Sequence, residues 1–392
     1  MTSAKRIMFV YGTRPEAIKL APLIRAMERS PAFSPRVVVT AQHRSMLDQV
    51  NEFFGIEPDH DLAIMEPAQS LSDVTIRALR GLDPLLEQHH ADAVVVQGDT
   101  TSTFVGALAA FYHRVPVVHV EAGLRTFDRA SPFPEEINRQ LTTRLADLHL
   151  APTETCRHHL LDEGIAAQAI SVTGNSVIDA LLWAVDRRTP YGDAALDRLD
   201  DDDRPVLLVT AHRRESWGPP MESIARALAR IAEQESDLTI VLPMHMNPSV
   251  RSALLPPLAG RPNVIVTEPL GYGGFCRLLN RASIVLTDSG GLQEEAPSLG
   301  KPVLVMRATT ERGEAVASGT ARLVGTQEDV IVGAVRTLLH DELAYRRMAK
   351  AVNPYGDGHA AGRSLDAIVR FLSDVPVSAF ASSTAARTRV PG

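Results

Sequence analysis

Cysteine is scarce. Cys156 and Cys276 are the only two in 392 residues, far apart and without a CxxC. That argues against a disulfide framework or a structural zinc site, and suits a reducing compartment. Positive charge is not in excess: 40 Lys and Arg stand against 47 Asp and Glu, for a formal net charge of -7. The chain therefore lacks the basic footprint of a nucleic-acid binder, although a local arginine cluster is enough for an anionic ligand. Apolar runs all fall short of membrane-span length. The opening MTSAKRIMFVYG enters a strand pattern at once, without the long apolar segment of a signal peptide. A cytoplasmic protein with no membrane or nucleic-acid partner is expected. Chemical signatures are missing too. No HExxH or comparable ligand spacing occurs, so no metal is expected. No PCxxC follows His119, which removes a zinc-deaminase reading. Walker A, GxGxxG and Gly-x-Ser-x-Gly patterns are all absent.

What is present is alternation. Hydrophobic content of 45% and charged content of 22% are ordinary for a globular chain, and the length suggests two domains or more. KRIMFVY, PRVVVTA, DAVVVQ and the run 115–120 are short and β-branched. All read as strands with helical stretches between them, and the run 115–120 as one buried on both faces, as in a parallel sheet. Further strands are expected at 147–151 and 169–173. A polar, acidic segment at 187–204 reads as a solvated linker. A second set then begins, with strands in PVLLVTA, LTIVLP, NVIVTEPL, SIVLT and KPVLVM. The expected fold is α/β, with two doubly wound Rossmann-like domains at 1–186 and 205–359. The tail 377–392 is small and polar and is expected to be disordered.

Candidate site residues fall at strand ends. Glu121 follows the run 115–120, at the edge where open α/β sheets bind ligands. Asp99, in GDTTST, holds the equivalent place after DAVVVQ. Consecutive strands separated by one helix are usually neighbours, so both carboxylates would face one crevice. Paired acids in a partly dry cleft can hold different protonation states, as acid–base chemistry requires. Asp99 is also placed to cap the helix behind it, a compatible role. SPFPEE starts a helix in which Glu135 and Arg139, four apart, share a face. An ordinary capped helix with an i,i+4 ion pair would look the same. Gly12-Thr13-Arg14 after the first strand offers an anion site built from free backbone N–H groups, with Arg14 and Lys19 adding positive charge. In the second set, His212-Arg213 and His245 follow strands directly. Ser289-Gly290-Gly291 opens a helix and lets a diphosphate approach backbone amides. Glu295 lies in the next turn, where a carboxylate can bind ribose hydroxyls, and Arg312 follows the last strand of the set.

Taken in order, GTRPEAIKLAP, GDTTST, HVEAGLRT, SPFPEEINRQLT, TAHRRES, LTDSGGLQEEAPSLGKPV, TTERGEA and NPYGDG closely resemble the non-hydrolysing UDP-N-acetylglucosamine 2-epimerases, over about residues 5 to 373. The resemblance implies a GT-B-like fold with its active site in the interdomain cleft. It also implies a last helix (360–376) returning to the first domain, UDP binding in the second, and a homodimer. The implied reaction interconverts UDP-GlcNAc and UDP-ManNAc without NAD, metal or other cofactor. UDP is eliminated to give 2-acetamidoglucal, then added back with the opposite configuration at C2. The C2–H bond is not acidic, so its cleavage must be coupled to departure of the diphosphate. That needs a base, stabilised leaving phosphates and an acid on the other face.

By the same resemblance Asp99, Glu121 and Glu135 are the candidate carboxylates, Arg139 orients them and His212 serves the diphosphate. Which acid serves which face stays open. UDP would lie on Ser289, Gly290 and Gly291, with Glu295 on the ribose, Arg14 and Lys19 nearby, Arg312 on the wall, and backbone near Phe275 at uracil. Some relatives bind a second UDP-GlcNAc as an activator, at positions matching Gln42, Arg213 and His245. Ser45 and Ala68 stand where those relatives carry Gln and Arg, so weakened activation is expected. Many relatives read GDLYSP where this chain has FDRASP, and ERPE at Glu311-Arg312-Gly313-Glu314. The departures at Phe127, Arg129 and Ala130 bear on sugar selectivity and leave the acids in place. The competing functions are a hydrolysing epimerase releasing ManNAc and UDP, a GT-B glycosyltransferase, and a non-catalytic nucleotide-sugar binder.

Overall fold

The computed structural model describes residues 4–41, 44–66 and 69–374. Contacts divide it into two compact units. One runs to Ser176 and resumes at His359; the other is Val177–Gly358. The first holds β1 (Lys5–Tyr11), β2 (Phe33–Val39), β3 (His60–Asp61), β4 (Ala93–Gln97), β5 (Val117–Val120), β6 (Leu148–Ala151) and β7 (Ile170–Val172). They form one seven-stranded sheet in the order β3-β2-β1-β4-β5-β6-β7, with every pairing parallel. Val94, Val95, Val96, Val117 and Val118 are fully buried. Burying each contributes roughly 1.5–3 kcal/mol, and branched side chains suit a sheet covered on both faces. The winding reverses between β1 and β4, so the carboxyl ends of these strands mark the switch point where such sheets place ligands.

The second unit holds β8 (Val206–Thr210), β9 (Thr239–Pro243), β10 (Val264–Thr267), β11 (Ile284–Thr287), β12 (Val303–Val305) and β13 (Ala321–Leu323). Its six-stranded order is β10-β9-β8-β11-β12-β13. The two windings match: β8 corresponds to β1, β11 to β4 and β12 to β5. The helix Pro219–Gln234 buries Met221, Ile224, Leu228 and Ile231 in the core of this unit. Among the described residues no helix is long and apolar enough to cross a membrane.

The segment 187–204 is not a free linker. It belongs to the second unit, where Tyr191, Leu196 and Leu199 are buried. Arg277 lies over the Tyr191 ring at 4.2 Å and donates from Nε to Asp200 Oδ2 at 3.1 Å. Arg281 Nε donates to Leu199 O at 2.8 Å. The acidic run is thus pinned at intervals by apolar and guanidinium contacts that composition does not reveal. The unit boundary, expected within this segment or slightly before it, falls before it, at Ser176 and Val177. The expected tail 377–392 lies outside the described residues.

Gly12 closes the turn after β1 because nothing larger fits. A Cβ there would stand 2.1 Å from Thr40 Oγ1 and 2.5 Å from Ser102 Oγ, two hydroxyls already bonded to each other at 2.7 Å. Gly12→Ala is expected to lower stability by about 1–3 kcal/mol through overpacking. A urea midpoint equal to wild type would show that the turn can move aside.

Candidate functional site

β4 and β5 are neighbours, with Val94 opposite Val117 and Gln97 opposite Val120. Asp99 and Glu121 therefore leave adjacent strands at the same edge. Arg139 Nη2 donates to Asp99 Oδ2 at 2.5 Å, and Asn138 Nδ2 donates to the Asp99 carbonyl at 3.0 Å. Arg139 Nη1 also lies 3.2 Å from Glu136 Oε2, with the two side chains only 6% and 0% exposed. Burial is the largest influence on Asp99 and raises its pKa. Arg139 works against it, and nearby Glu121 adds to the rise.

Two expectations change here. Arg139 does not take Glu135 as its i,i+4 partner, because Asp99 and the i,i+3 residue Glu136 claim it. Glu135 begins the helix Glu135–Leu145, half-buried, and its side chain has no ion pair among the described residues. Nor does Asp99 cap the following helix. Thr100 does, its Oγ1 accepting from Thr103 N at 3.1 Å.

Glu121 has φ +63, a left-handed conformation costing roughly 1–2 kcal/mol outside glycine. Donors from three separate segments hold it there. Lys19 Nζ and Asn175 Nδ2 reach Oε1 at 2.5 and 3.0 Å, and Gln97 Nε2 reaches Oε2. Strain of this kind persists only where surroundings over-determine it, and it clusters at functional sites. The loop beyond repeats the pattern. Phe127, at φ +61, packs edge-on against His159 with centroids 5.1 Å apart. The aromatic residue that stands where many relatives are expected to carry glycine thus occupies glycine's conformation.

The turn after β1 is not an open anion site. Glu16 fills it from within. Its Oε2 accepts from Gly12 N at 3.0 Å and Thr13 N at 2.7 Å, and its Oε1 accepts from Thr100 Oγ1 at 2.7 Å and Thr103 Oγ1 at 2.8 Å. The amides expected to greet a phosphate are spent on a fully buried carboxylate. That carboxylate also ties the turn after β1 to the turn bearing Asp99. Burial raises its pKa, and these bonds oppose the rise. Arg14 sits half-exposed at the first position of the helix Arg14–Glu28, while Lys19 is committed to Glu121.

The second unit repeats the device with a different donor of charge. Asp288 follows β11, is fully buried, and accepts from His212 N at 2.7 Å and Arg213 N at 2.8 Å through Oδ2. Its Oδ1 lies 3.1 Å from His212 Nδ1. Burial pushes the Asp288 carboxyl up, but the His212 contact and the two amides outweigh it and hold the group below the usual range. His245 stacks on His212 with centroids 5.7 Å apart. Burial and then His212 lower its pKa. Arg213 Nη1 lies 3.8 Å from Glu311. Arg307 grips Glu311 at 2.8 Å and Glu215 at 2.7 Å, binding the loops after β8 and β12 together. Arg312 pairs with Glu294. Ser289 N donates to Thr287 Oγ1 at 2.9 Å. Gly290 and Gly291 lead into the short helix Gly291–Glu295, which ends at the half-buried Glu295. Phe275 is half-buried on the helix Tyr272–Arg281. Gln42, Ala68 and the side chain of Ser45 lie outside the described residues.

Sequence reasoning missed Glu16, Gln97, Asn175, Glu136 and Asp288 as anchors of the site. One had a visible signal: Thr13-Arg14-Pro15-Glu16 has the spacing of a capping box. Among the described residues no group of three or more His, Cys, Asp or Glu is arranged to hold a metal ion.

Two doubly wound parallel sheets with charged groups gathered at the strand ends of each switch point define a GT-B-like α/β protein. A family model described as UDP-N-acetylglucosamine 2-epimerase matches residues 25–369. The UDP-N-acetylglucosamine 2-epimerase of Yersinia pestis is 54% identical over 368 residues, covering 93% of this chain and 98% of its own. A crystal structure of a putative UDP-N-acetylglucosamine 2-epimerase from Listeria monocytogenes has a TM-score of 0.89 at 44% identity, covering 95% of this chain and 98% of its own. The Neisseria meningitidis UDP-GlcNAc 2-epimerase, solved with UDP-GlcNAc bound, has a TM-score of 0.84 at 44% identity, covering 93% and 100%. This chain belongs to the UDP-N-acetylglucosamine 2-epimerase family.

Proposed function

We propose that this chain interconverts UDP-GlcNAc and UDP-ManNAc without hydrolysis. A carboxylate removes the C2 proton as the C1–O bond to UDP breaks, leaving 2-acetamidoglucal and UDP. A carboxylic acid on the opposite face then returns a proton to C2 while a diphosphate oxygen adds back at C1. Asp99, Glu121 and Glu135 supply the acids, and Arg139 fixes Asp99. Ser289, Gly290 and Gly291 take the diphosphate together with His212, Glu295 takes the ribose, and backbone near Phe275 takes uracil. Arg14 and Lys19 lie near the UDP, with Lys19 paired to Glu121, and Arg312 lies on the wall, paired to Glu294. Arg213 and His245 belong to a second UDP-GlcNAc site whose activating effect is weakened. The carrying observation is the pair Asp99 and Glu121 at adjacent strand ends, one clamped by a guanidinium and raised in pKa by burial, the other held by an ammonium and two amides. Such a pair, unequal in its surroundings, suits proton removal and proton return at one carbon. The enzyme acts as a homodimer in the cytoplasm.

Incubation with UDP-GlcNAc in D2O, followed by NMR, tests this. UDP-ManNAc carrying deuterium at C2, with no accumulating free ManNAc, is the expected result. Free ManNAc with UDP would move the assignment to the hydrolysing reaction, and no exchange at C2 would refute the chemistry.

A further inference from the structure

β5 reads Val117-Val118-His119-Val120, and all four residues are buried. An imidazole in an otherwise apolar strand is costly to desolvate unless a partner needs it. The partner is one residue away from Asp99. Gly98 follows β4 with φ +74. Its N–H is held by Val120 O at 3.0 Å, and its carbonyl accepts from His119 Nε2 at 2.8 Å. A carbonyl can only accept, so the proton sits on Nε2. Nδ1 is buried and has no hydrogen-bond partner among the described residues. Burial pushes the imidazole pKa down to about 3; the Gly98 hydrogen bond opposes this, His149, its cross-strand partner, and Arg125 add to the fall, and Glu121 opposes it. His119 is therefore neutral and donates one hydrogen bond.

We infer that His119 is a positioning residue for the epimerase reaction: through Gly98 it fixes the peptide that precedes Asp99. The inference rests on the proposed role of Asp99. His119 orients the peptide before Asp99, Asn138 the carbonyl after it, and Arg139 the carboxylate itself. A misplacement of about 1 Å at such a group can cost on the order of 10²-fold in rate.

The test compares His119→Phe, which removes the donor, with His119→Gln, whose amide nitrogen reaches the place of Nε2, and His119→Asn, which is too short. His119→Phe and His119→Asn are expected to lose roughly 10- to 100-fold in kcat, with KM and the Kd for UDP nearly unchanged. His119→Gln should recover most of that loss and keep both limbs of the pH profile. Crystal structures should show the Gly98–Asp99 peptide rotated in the first two variants and native in the third. Unchanged kcat, or an unmoved peptide in His119→Phe and His119→Asn, overturns the inference. So does loss of a pH limb in His119→Gln, which would make the imidazole itself a proton carrier. If His119→Phe fails to fold, the Gln and Asn pair decides. If wild-type protein shows no C2 exchange, the proposed reaction fails, and the peptide geometry alone decides the positioning role.

Discussion

Asp99→Asn is expected to abolish solvent exchange at C2 of UDP-GlcNAc while UDP still binds. Asparagine keeps the shape of the side chain and leaves one oxygen to accept from Arg139, which reaches the aspartate at 2.5 Å. It cannot take up or release a proton. Loss of a general acid or base costs about 10²- to 10⁴-fold in rate. The residues assigned to the diphosphate and ribose belong to the other unit, so the Kd for UDP should stay within about twofold of wild type, well under the ~1.4 kcal/mol of a tenfold change. The direction of the Asp99 shift adds a pH signature. Burial favours the protonated form, so the ionised form is lost as pH falls through a pKa above the ordinary aspartate value. If Asp99 is the base, activity falls on the acid side at a higher pH than an exposed aspartate would give. Near-normal exchange in the variant would remove Asp99 from the chemistry.

Arg139→Met is expected to damage both fold and rate. The guanidinium is the cation between Asp99 and the fully buried Glu136. Removing one partner of a buried pair typically costs about 3–5 kcal/mol, because the charge left behind is uncompensated. Glu136 keeps Thr126 N at 3.0 Å, Thr126 Oγ1 at 3.0 Å and Gln140 Nε2 at 2.8 Å. Those neutral donors place the loss near the lower end, about 3 kcal/mol, read from the urea midpoint. Arg139 lowers the Asp99 pKa, so without it Asp99 holds its proton to higher pH, and with Asp99 as the base the acid limb moves upward. Arg139→Lys should restore part of the charge balance and little of the geometry, since an ammonium lacks the planar fork. A variant as stable as wild type, with an unmoved acid limb, would show that Glu136 and Asp99 do not depend on this cation.

The strands were legible where they are apolar on both faces. β4 and β5 announce themselves as runs of valine, and their adjacency follows from one intervening helix. β3 and β13 were not legible. They are edge strands of two and three residues, paired on one side only, and carry no apolar run. Asp99 and Glu121 could be read from their place at strand ends. Their anchors could not, because Lys19 and Asn175 meet Glu121 across 102 and 54 residues of chain. Local spacing also misled. Arg139 had acids at both i−3 and i−4, and it holds the one at i−3 together with a third acid, Asp99, from another element. The turn after β1 looked like a phosphate seat because free amides were assumed, while the glutamate that consumes them stood in the motif itself.

The first unit is assembled from both ends of the chain, and this bears on synthesis. The helix Ala360–Asp374 packs against the helix Arg14–Glu28, and Arg363 Nε donates to Thr173 O at 2.8 Å. The whole second unit is translated between these partners. At ribosomal rates of about 5–20 residues per second, the early helix waits on the order of tens of seconds for its neighbour. During that interval the second unit can fold as a contiguous piece, while the first remains an unfinished layer with apolar surface open to chaperones. Translation therefore completes the acid-bearing unit only after the second unit is made, although its strands are made first.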